Sequence, residues 1–367
     1  MKSIKTILLP ILCCAISSAF ASPSSPISFK YWVPYGNKHF ASSASEIAFT
    51  THSAGNAYAA YTANNTLSVM MLKNNTWVPA GTTDFTNIDP FSQISLVMNT
   101  TNPKSNPYVS YVSGENCSFS ACQVVVKHYN GKIWKTVGAD TLPSLSTSAA
   151  LTIDSHGTPY LLDEIPDSNT LYRVLKFNGQ YWEKVGNDIN SNNASTDISI
   201  KISPNGTPFI SYGHIVRTLV NNNWQQVASL PGDTEAWAID QEGTIYDAGN
   251  NNMLPYVMKL AKNSTQWQYA GQFSTALPNE FYGANEFSIA ISSKDIPYLS
   301  FVGFDDTLKK FAAFAMKLDT HSNQWTSIAN TNITPTAPQN LLLTLDSDNN
   351  PYLYDGGNKP TIYTLSH

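Results

Sequence analysis

The sequence predicts an all-β fold, a seven-bladed β-propeller of four-stranded antiparallel blades, and two interleaved aromatic series support this prediction. Tryptophans recur about every 49 residues, as expected for a propeller blade, at Trp32, Trp77, Trp134, Trp182, Trp224, Trp267 and Trp325. A second series, in Gly/Asn-x-Pro-Tyr-like segments, consists of Tyr58, Tyr108, Tyr160, Phe209, Tyr246, Tyr298 and Tyr352. Repetition at this period is typical of propellers, because each blade is one four-stranded unit.

Each repeat is predicted to contain four strands in a fixed order, named A to D. Strand A is the alternating apolar stretch before each tyrosine, as at 198–202, because period-two alternation indicates a strand. Strand B starts at the tyrosine, strand C follows it, as at 172–177, and strand D starts at the tryptophan. Asn130-Gly131 and Asn178-Gly179 predict tight hairpin turns between C and D, since both residue types tolerate positive φ.

The order of the repeats predicts how the ring closes. Trp32 comes before any A, B or C strand, whereas Tyr352 is followed by one more strand at 361–365 and no tryptophan. Residues 29–36 are therefore expected to supply strand D of blade seven. Closure of this kind removes an open sheet edge, which would otherwise invite aggregation. We expect one propeller domain over residues 22–367.

The first 21 residues have the features of a bacterial secretory signal peptide. Lys2 and Lys5 precede an apolar stretch, and Ala19-Phe20-Ala21 fits a small-x-small cleavage site. The apolar stretch is too short for a membrane span, and no later stretch approaches that length. We expect cleavage after Ala21 and a secreted or periplasmic monomer without a transmembrane segment.

Two cysteines remain after the predicted cleavage site, Cys117 and Cys122. In an oxidising compartment this pair predicts a disulfide that pins a loop. A metal pair is the alternative, but no second Cys or His pair with suitable spacing accompanies it.

The repeat motifs resemble those of a known group of proteins. The segments 134–138 and 182–186 have the form Trp-x-x-Val-Gly, and 154–160 has the form Asp-Ser-x-Gly-Thr-Pro-Tyr. This pattern resembles the repeat of secreted bacterial seven-bladed β-propeller proteins and is distantly similar to kelch, tectonin-type and fungal lectin propellers. The resemblance implies the fold and no reaction. The chain lacks the kelch double glycine, the Trp-Asp ending of WD repeats and the Ser-x-Asp-x-Gly-x-Thr-Trp box of sialidases, so residues of those families are not transferred.

The repeated aromatic residues are expected to pack between blades, because they recur at fixed places in every repeat. Sugar stacking is the alternative. Trp237 lies outside the series and replaces an aliphatic residue of strand A in blade five. We expect it to fill core space near the channel.

Composition and charge exclude several function classes. The net charge of -5 and the presence of only two arginines argue against nucleic acid as a partner. The hydrophobic fraction of 42% excludes wholesale disorder. The sequence contains no nucleophile elbow, phosphate-binding glycine loop or His-Glu-x-x-His motif, and its seven histidines have no metal-ligand spacing.

The acidic residues are predicted to concentrate on one face. In a propeller the D–A and B–C loops share one face, the D–A/B–C face, to which we assign 18 of the 26 acids and four lysines. A face of one sign favours cations or basic partners, although solvated acidic loops are the alternative. Strand A also begins with a polar residue in each blade, expected at the channel mouth: Glu46, Gln93, Ser148, Asp197, Thr234, Glu286 and Asn340.

Three functions are compatible with this pattern. The first, which we favour, is a binding module for a protein, glycan or cation-bridged ligand, with ligand-binding residues Glu46, Gln93, Asp197, Glu286 and Asn340. Its carboxylates, Glu46, Asp197 and Glu286, are also candidate calcium ligands. The second is a carboxylate-dependent, glycoside hydrolase-like enzyme with its site at the channel mouth, for which the carboxylate separation is decisive. The third is a purely structural envelope protein, and the fold alone does not choose between the three.

Overall fold

The computed structural model describes residues 30–366 except for several loop stretches. These are 38–39, 43, 83–84, 87, 90–92, 115–116, 118–121, 139–141, 143–144, 167–169, 192–196, 232–233, 274–276, 278–280, 307, 330–332, 334–339 and 357–358. The predicted signal peptide (1–21) and residue 29 of the predicted closing strand lie outside the described residues. No helix long and apolar enough to cross a membrane occurs in the part of the chain that is described.

The strands form seven antiparallel sheets. Blade 1 contains β2 (Ile47–Thr51), β3 (Ala57–Ala63), β4 (Thr66–Lys73) and β5 (Thr76–Pro79), and blade 2 contains β6 (Ser95–Val97), β7 (Tyr108–Ser113), β8 (Gln123–Tyr129) and β9 (Trp134–Thr136). Blade 3 contains β10 (Ser148–Ile153), β11 (Pro159–Ile165), β12 (Thr170–Phe177), β13 (Trp182–Lys184) and a short extra strand, β14 (Ile189–Ser191). Blade 4 contains β15 (Ile198–Ile202), β16 (Pro208–Tyr212), β17 (Ile215–Val220) and β18 (Asn223–Ser229).

The remaining strands complete the ring. Blade 5 contains β19 (Thr234–Ile239), β20 (Ile245–Asn251), β21 (Leu254–Leu260) and β22 (Gln268–Tyr269). Blade 6 contains β23 (Tyr282–Ile291), β24 (Pro297–Asp305), β25 (Lys310–Asp319) and β26 (Gln324–Ser327). Blade 7 contains β27 (Leu341–Leu345), β28 (Pro351–Asp355), β29 (Thr361–Leu365) and the N-terminal strand β1 (Trp32–Pro34).

This arrangement confirms the predicted seven-bladed β-propeller and its closure. Strand β1 pairs antiparallel with β29, with Trp32 opposite Leu365 and Pro34 opposite Tyr363. The A strands of neighbouring blades contact one another, β2 with β6 and β27, for example, so they surround a central axis. Both chain ends therefore share blade 7, and the ring closes with strand pairing of the kind that protects a sheet edge.

A series of indole hydrogen bonds joins blades 1 to 6 each to the blade before it. The indole N–H of six tryptophans donates to a backbone carbonyl of the preceding blade: Trp77 to Tyr35, Trp134 to Ala80, Trp182 to Val137, Trp224 to Val185, Trp267 to Ser229 and Trp325 to Ala270, at 2.7–3.1 Å. The tryptophan series thus packs between blades, as predicted. Sugar stacking is not needed to explain its recurrence.

Steric constraints require the glycine of the Trp-x-x-Val-Gly motif. Gly138 and Gly186 have φ of +57° and +74°. A Cβ on Gly138 would lie 2.6 Å from Trp182 Cδ1, and one on Gly186 would lie 2.7 Å from Trp224 Nε1. The glycine therefore leaves room for the tryptophan of the next blade, and its positive φ is one that side chains rarely adopt.

The predicted Asn-Gly turns differ from expectation. Gly131 and Gly179 have positive φ, whereas Asn130 and Asn178 do not, so these are not two-residue type I′ turns. Instead the Asn130 side chain accepts hydrogen bonds from the N–H groups of Lys132 and Ile133, which stabilises a longer turn. Both central residues have positive φ in the turns Asn64–Asn65, Asn74–Asn75, Asn221–Asn222 and Asn252–Met253.

Blade 6 is longer than its neighbours at one end. Strands β23 and β25 have 10 residues each, and register shifts interrupt β23 between Tyr282 and Ser288. Such bulges bend a strand and redirect its side chains. Strand A of blade 6 begins at Tyr282, four residues before Glu286.

Candidate functional site

The channel mouth brings together three of the neighbouring A strands. Glu286 lies in the bulged part of β23 with φ of +55°, and its Oε2 accepts a hydrogen bond from Asn340 N at 2.9 Å. Asn340 Nδ2 in turn donates to Ser45 O at 2.9 Å. Because Ser45 precedes Glu46, these contacts link the starts of strand A in blades 6, 7 and 1.

The other predicted mouth residues lie elsewhere on the ring. Gln93 and Asp197 precede the A strands of blades 2 and 4. Burial raises the pKa of Glu46, and burial also raises that of Asp197, although the charge of His214 partly offsets the second rise. Glu46 N donates to Thr62 Oγ1 at 3.0 Å, which fixes the backbone where strand A begins.

The three mouth carboxylates do not form a common metal site. Among the described residues, which include Glu46, Asp197 and Glu286, no three His, Cys, Asp or Glu side chains lie close enough to hold a metal ion together. The candidates stand in blades 1, 4 and 6, so the ring itself separates them. Calcium binding stays a prediction.

Many acids assigned to the D–A/B–C face are buried. Eleven of the 18 have side chains that the structure describes, and six of these are buried: Asp89, Asp163, Glu164, Asp247, Asp305 and Asp355. The five others are at least partly exposed: Glu46, Asp188, Asp197, Glu286 and Asp306. The exposed negative charge of this face is thus smaller than the sequence count suggests.

Several buried acids accept hydrogen bonds that shape the loops. Asp89 Oδ2 accepts from Cys117 N at 2.9 Å, and Asp305 Oδ1 accepts from Leu308 N at 3.2 Å. Asp247 Oδ2 accepts from the Tyr256 hydroxyl at 3.0 Å. Buried carboxylates of this kind stabilise turns, because they satisfy backbone and hydroxyl donors that would otherwise be unpaired.

Asp163 differs from these acids. It is fully buried in β11, and neither of its carboxyl oxygens has a hydrogen-bond partner of good geometry. Burial raises the pKa of Asp163 to about 7, while the Ser146 hydroxyl and the charge of Arg173 offset part of the rise. The group is therefore largely protonated below neutral pH.

Some of the exposed acids are neutralised by neighbouring cations. Asp188 contacts Arg173 and Lys184, each at 3.3 Å. Asp306 pairs with Lys309 at the tip of blade 6. Exposed pairs of this kind add little stability, but they remove charge from the face.

Cys117 and Cys122 form the predicted disulfide, and both residues are buried. Ser146 N donates to Cys122 O at 3.0 Å. The disulfide therefore closes the B–C loop of blade 2, and the hydrogen bond ties that loop to the segment that leads into strand A of blade 3, on the D–A/B–C face.

An exposed apolar surface on the same face was not predicted. We call it the blade 5–6 ridge, and it consists of Met253, Leu254, Tyr282, Phe304, Leu308 and Phe311. Five of its side chains are 43–62% exposed, and Phe304 is half-buried among them. The ridge comes from the B–C loops of blades 5 and 6 and the start of strand A in blade 6. Its aromatic residues fall outside both repeat series, which is the sequence signal that could have identified it.

Comparison with known proteins gives the fold alone. No protein-family model matches the chain, and no curated protein matches it. Solved structures with the same architecture include the extracellular domain assigned to a one-component system of B. thetaiotaomicron, at a TM-score of 0.55 and 12% identity over 91% of this chain and 40% of that chain. The extracellular domain assigned to a hybrid two-component system of the same organism gives 0.53 and 14% identity over 90% and 40%.

A polysaccharide lyase gives a TM-score of 0.51 and 10% identity over 90% of this chain and 91% of its own. The chain spans about 40% of the length of the two extracellular domains. Likenesses at these identities support the expected distant relation to other propellers at the level of fold. The closer resemblance to secreted bacterial repeat proteins stays a prediction.

Proposed function

We propose that the protein is a secreted or periplasmic binding module whose D–A/B–C face holds a ligand with a cationic group at the channel mouth. The observation that supports this most is the fixed position of Glu286, which lies at a bulge and accepts a hydrogen bond from Asn340. Bulges often serve to redirect a side chain beside a functional site.

The backbone of Glu286 supports the same proposal. A glutamate with φ of +55° costs free energy, because its Cβ approaches the backbone in this conformation. Residues of this kind cluster at ligand sites, where the surrounding structure holds them in place. A carboxylate accepts several hydrogen bonds, so Glu286 can accept one from a ligand in addition to that from Asn340.

The ligand is expected to be held partly by charge. Glu46, Asp197 and Glu286 are at least partly exposed, and a mouth lined by one sign of charge raises the local concentration of cations. Burial raises the pKa of Glu46 and that of Asp197, so the negative charge of the mouth, and with it the attraction, increases as the pH rises.

The test is an array of peptides and glycans probed with the full chain, with and without calcium, at low and high salt. Bound ligands are expected to be cationic and to bind more weakly at high salt, because salt screens exposed charges beyond about 8 Å at physiological ionic strength. Glu46→Gln, Asp197→Asn and Glu286→Gln together should weaken binding and leave the fold intact.

A matched control removes the same charge from the opposite face, by Glu183→Gln, Glu242→Gln and Asp348→Asn. It should bind as the parent does. Equal binding by the mouth variant and the parent at low salt would refute the proposal. The hydrolase alternative forecasts a different result: the mouth variant would retain sugar binding and lose turnover.

A further inference from the structure

We infer that the blade 5–6 ridge docks a polypeptide segment that carries apolar side chains and a basic one. The inference rests on the proposed function, since it names the partner class for the same face. It adds a second contact surface, beside the channel mouth, that the charged residues alone do not reveal.

The ridge is one continuous apolar surface. Tyr282 stacks on Phe304 with ring centroids 4.7 Å apart, and Phe304 packs edge-on against Phe311 at 5.7 Å. Phe311 lies over Gly283, where a Cβ would meet its ring at 3.1 Å. Met253 O accepts a hydrogen bond from Ala284 N at 2.9 Å, which holds the blade 5 turn against the start of β23.

The ridge continues into a cleft between blades 5 and 6. This cleft of about 570 Å³ is lined by Leu254 of the ridge and by Tyr256, Phe273, Leu277 and Phe281, and it reaches the exposed ring of Tyr269. Contiguous exposed apolar surfaces often mark interaction sites. The cleft provides depth for side chains, and the ridge provides a flat contact area.

Unusual backbone conformations occur within the ridge and beside it. Among the described non-glycine residues with positive φ, all are Asn or Asp except Met253, Glu286 and Lys309, at +67°, +55° and +53°. Met253 occupies the second position of a two-residue turn, where three comparable turns have asparagine. Asparagine can stabilise positive φ by a local hydrogen bond from its side chain, whereas methionine cannot. The presence of Met253 at this position therefore indicates a role outside the fold.

The side chains of the ridge favour a polypeptide partner. Methionine, leucine and aromatic residues together are the composition of protein interfaces, and methionine adapts to partners of different shape. Glu286 follows Tyr282 in the same strand on the channel side of the ridge. A carboxylate there complements a basic side chain of the partner. Two exposed lysines, Lys309 and Lys310, lie between Leu308 and Phe311, and Lys309 pairs with Asp306.

The inference is tested with a phage-displayed library of random dodecapeptides selected on the full chain at low salt. Enriched peptides should combine apolar residues with a lysine or arginine. The dissociation constant of a synthetic peptide from the selection is then measured by fluorescence anisotropy against the parent and the variants.

The ridge variant is Met253→Asn with Leu254→Thr, which gives the turn the asparagine found in comparable turns and so preserves the fold. It should weaken the peptide roughly tenfold or more, because buried anchor residues dominate such contacts. A matched control, Ile133→Thr with Tyr181→Thr, removes similarly exposed apolar side chains elsewhere and should bind as the parent does. Glu286→Gln should weaken binding and reduce its dependence on salt.

Several results would overturn the inference. One is the absence of enriched peptides, and a second is unchanged peptide binding by the ridge variant. A third is sedimentation of the parent protein with vesicles of equal phosphatidylcholine and phosphatidylglycerol, if the ridge variant no longer sediments with them. A peptide lost with the mouth variant and retained by the ridge variant would refute the ridge and leave the proposed function standing. A peptide lost with the ridge variant alone would support the ridge as a docking surface and refute the acidic mouth as the site that holds the basic side chain.

Discussion

The buried carboxyl of Asp163 makes the stability of the propeller depend on pH, and Asp163→Asn should remove this dependence. The folded chain holds a proton on Asp163 that the unfolded chain releases, because burial raises its pKa from 3.8 to about 7. The stability that this proton provides is present below pH 4 and is lost as the pH rises to about 7. An asparagine side chain does not ionise, so the variant lacks this loss.

The expected magnitude follows from the shift. A rise of about three pKa units corresponds to about 4 kcal/mol between the acidic and alkaline limits, at 1.36 kcal/mol for each unit. About 3 kcal/mol of this falls between pH 5 and pH 8. Solvent does not screen this group, because the side chain is fully buried, so the whole pKa shift counts toward the free energy of unfolding. Asp163→Asn should therefore gain up to about 3 kcal/mol relative to the parent over this pH range.

The assay is urea denaturation followed by tryptophan fluorescence at pH 5 and pH 8. The difference in unfolding free energy between variant and parent is compared at the two pH values, which cancels the contributions of all other titrating groups. The exposed Asp348→Asn serves as a control and should show a difference below about 0.5 kcal/mol at both. A difference for Asp163→Asn that does not change with pH would show that the carboxyl is ionised in the fold.

Three further predictions concern the fold. Gly186→Ala should destabilise the chain by about 3 kcal/mol and Gly179→Ala by about 1 kcal/mol in the same assay. Both residues have positive φ, but only Gly186 lies against a neighbouring tryptophan. Equal losses of stability would refute the steric role of Gly186. A chain beginning at residue 41 should melt well below the parent, since it lacks β1 and the Tyr35 carbonyl that Trp77 contacts; identical melting would contradict the shared blade. Thiol titration of the folded chain should detect no free thiol at Cys117 or Cys122, and two free thiols would exclude the disulfide. Loss of the disulfide should cost about 2 kcal/mol, because the loop that it closes is short.

The fold could be predicted from the sequence because each blade repeats the same physical requirements. A tryptophan must reach the carbonyl of the preceding blade, and a glycine must leave room for it, so both residues recur at fixed spacing. The closing strand followed from the same series, since Trp32 had no other strands in its own repeat. The prediction of turn type was wrong at Asn130, because its side chain accepts a local hydrogen bond from Lys132 N and the residue does not adopt the positive φ of a type I′ turn.

The site was less predictable, because its features do not repeat. Spacing along the chain placed Glu286 at the channel mouth, but the bulge that sets its conformation depends on pairing with β24. Counting charges overstated the acidity of the face, since sequence does not distinguish the exposed Asp197 from the buried Asp247. The ridge arises from contacts between loops of two blades, which period-based analysis does not capture.

Hydrogen–deuterium exchange of the full chain, with and without a cationic peptide obtained by selection, tests most directly whether the D–A/B–C face binds the ligand. Bound peptide should slow exchange at 252–254, 282–286 and 308–311, which form the ridge and the adjoining mouth. The A–B turns at 203–207 and 240–244, on the opposite face, should exchange as in the free protein. Protection confined to those turns, with none at the ridge or the mouth, would contradict a binding site on the D–A/B–C face.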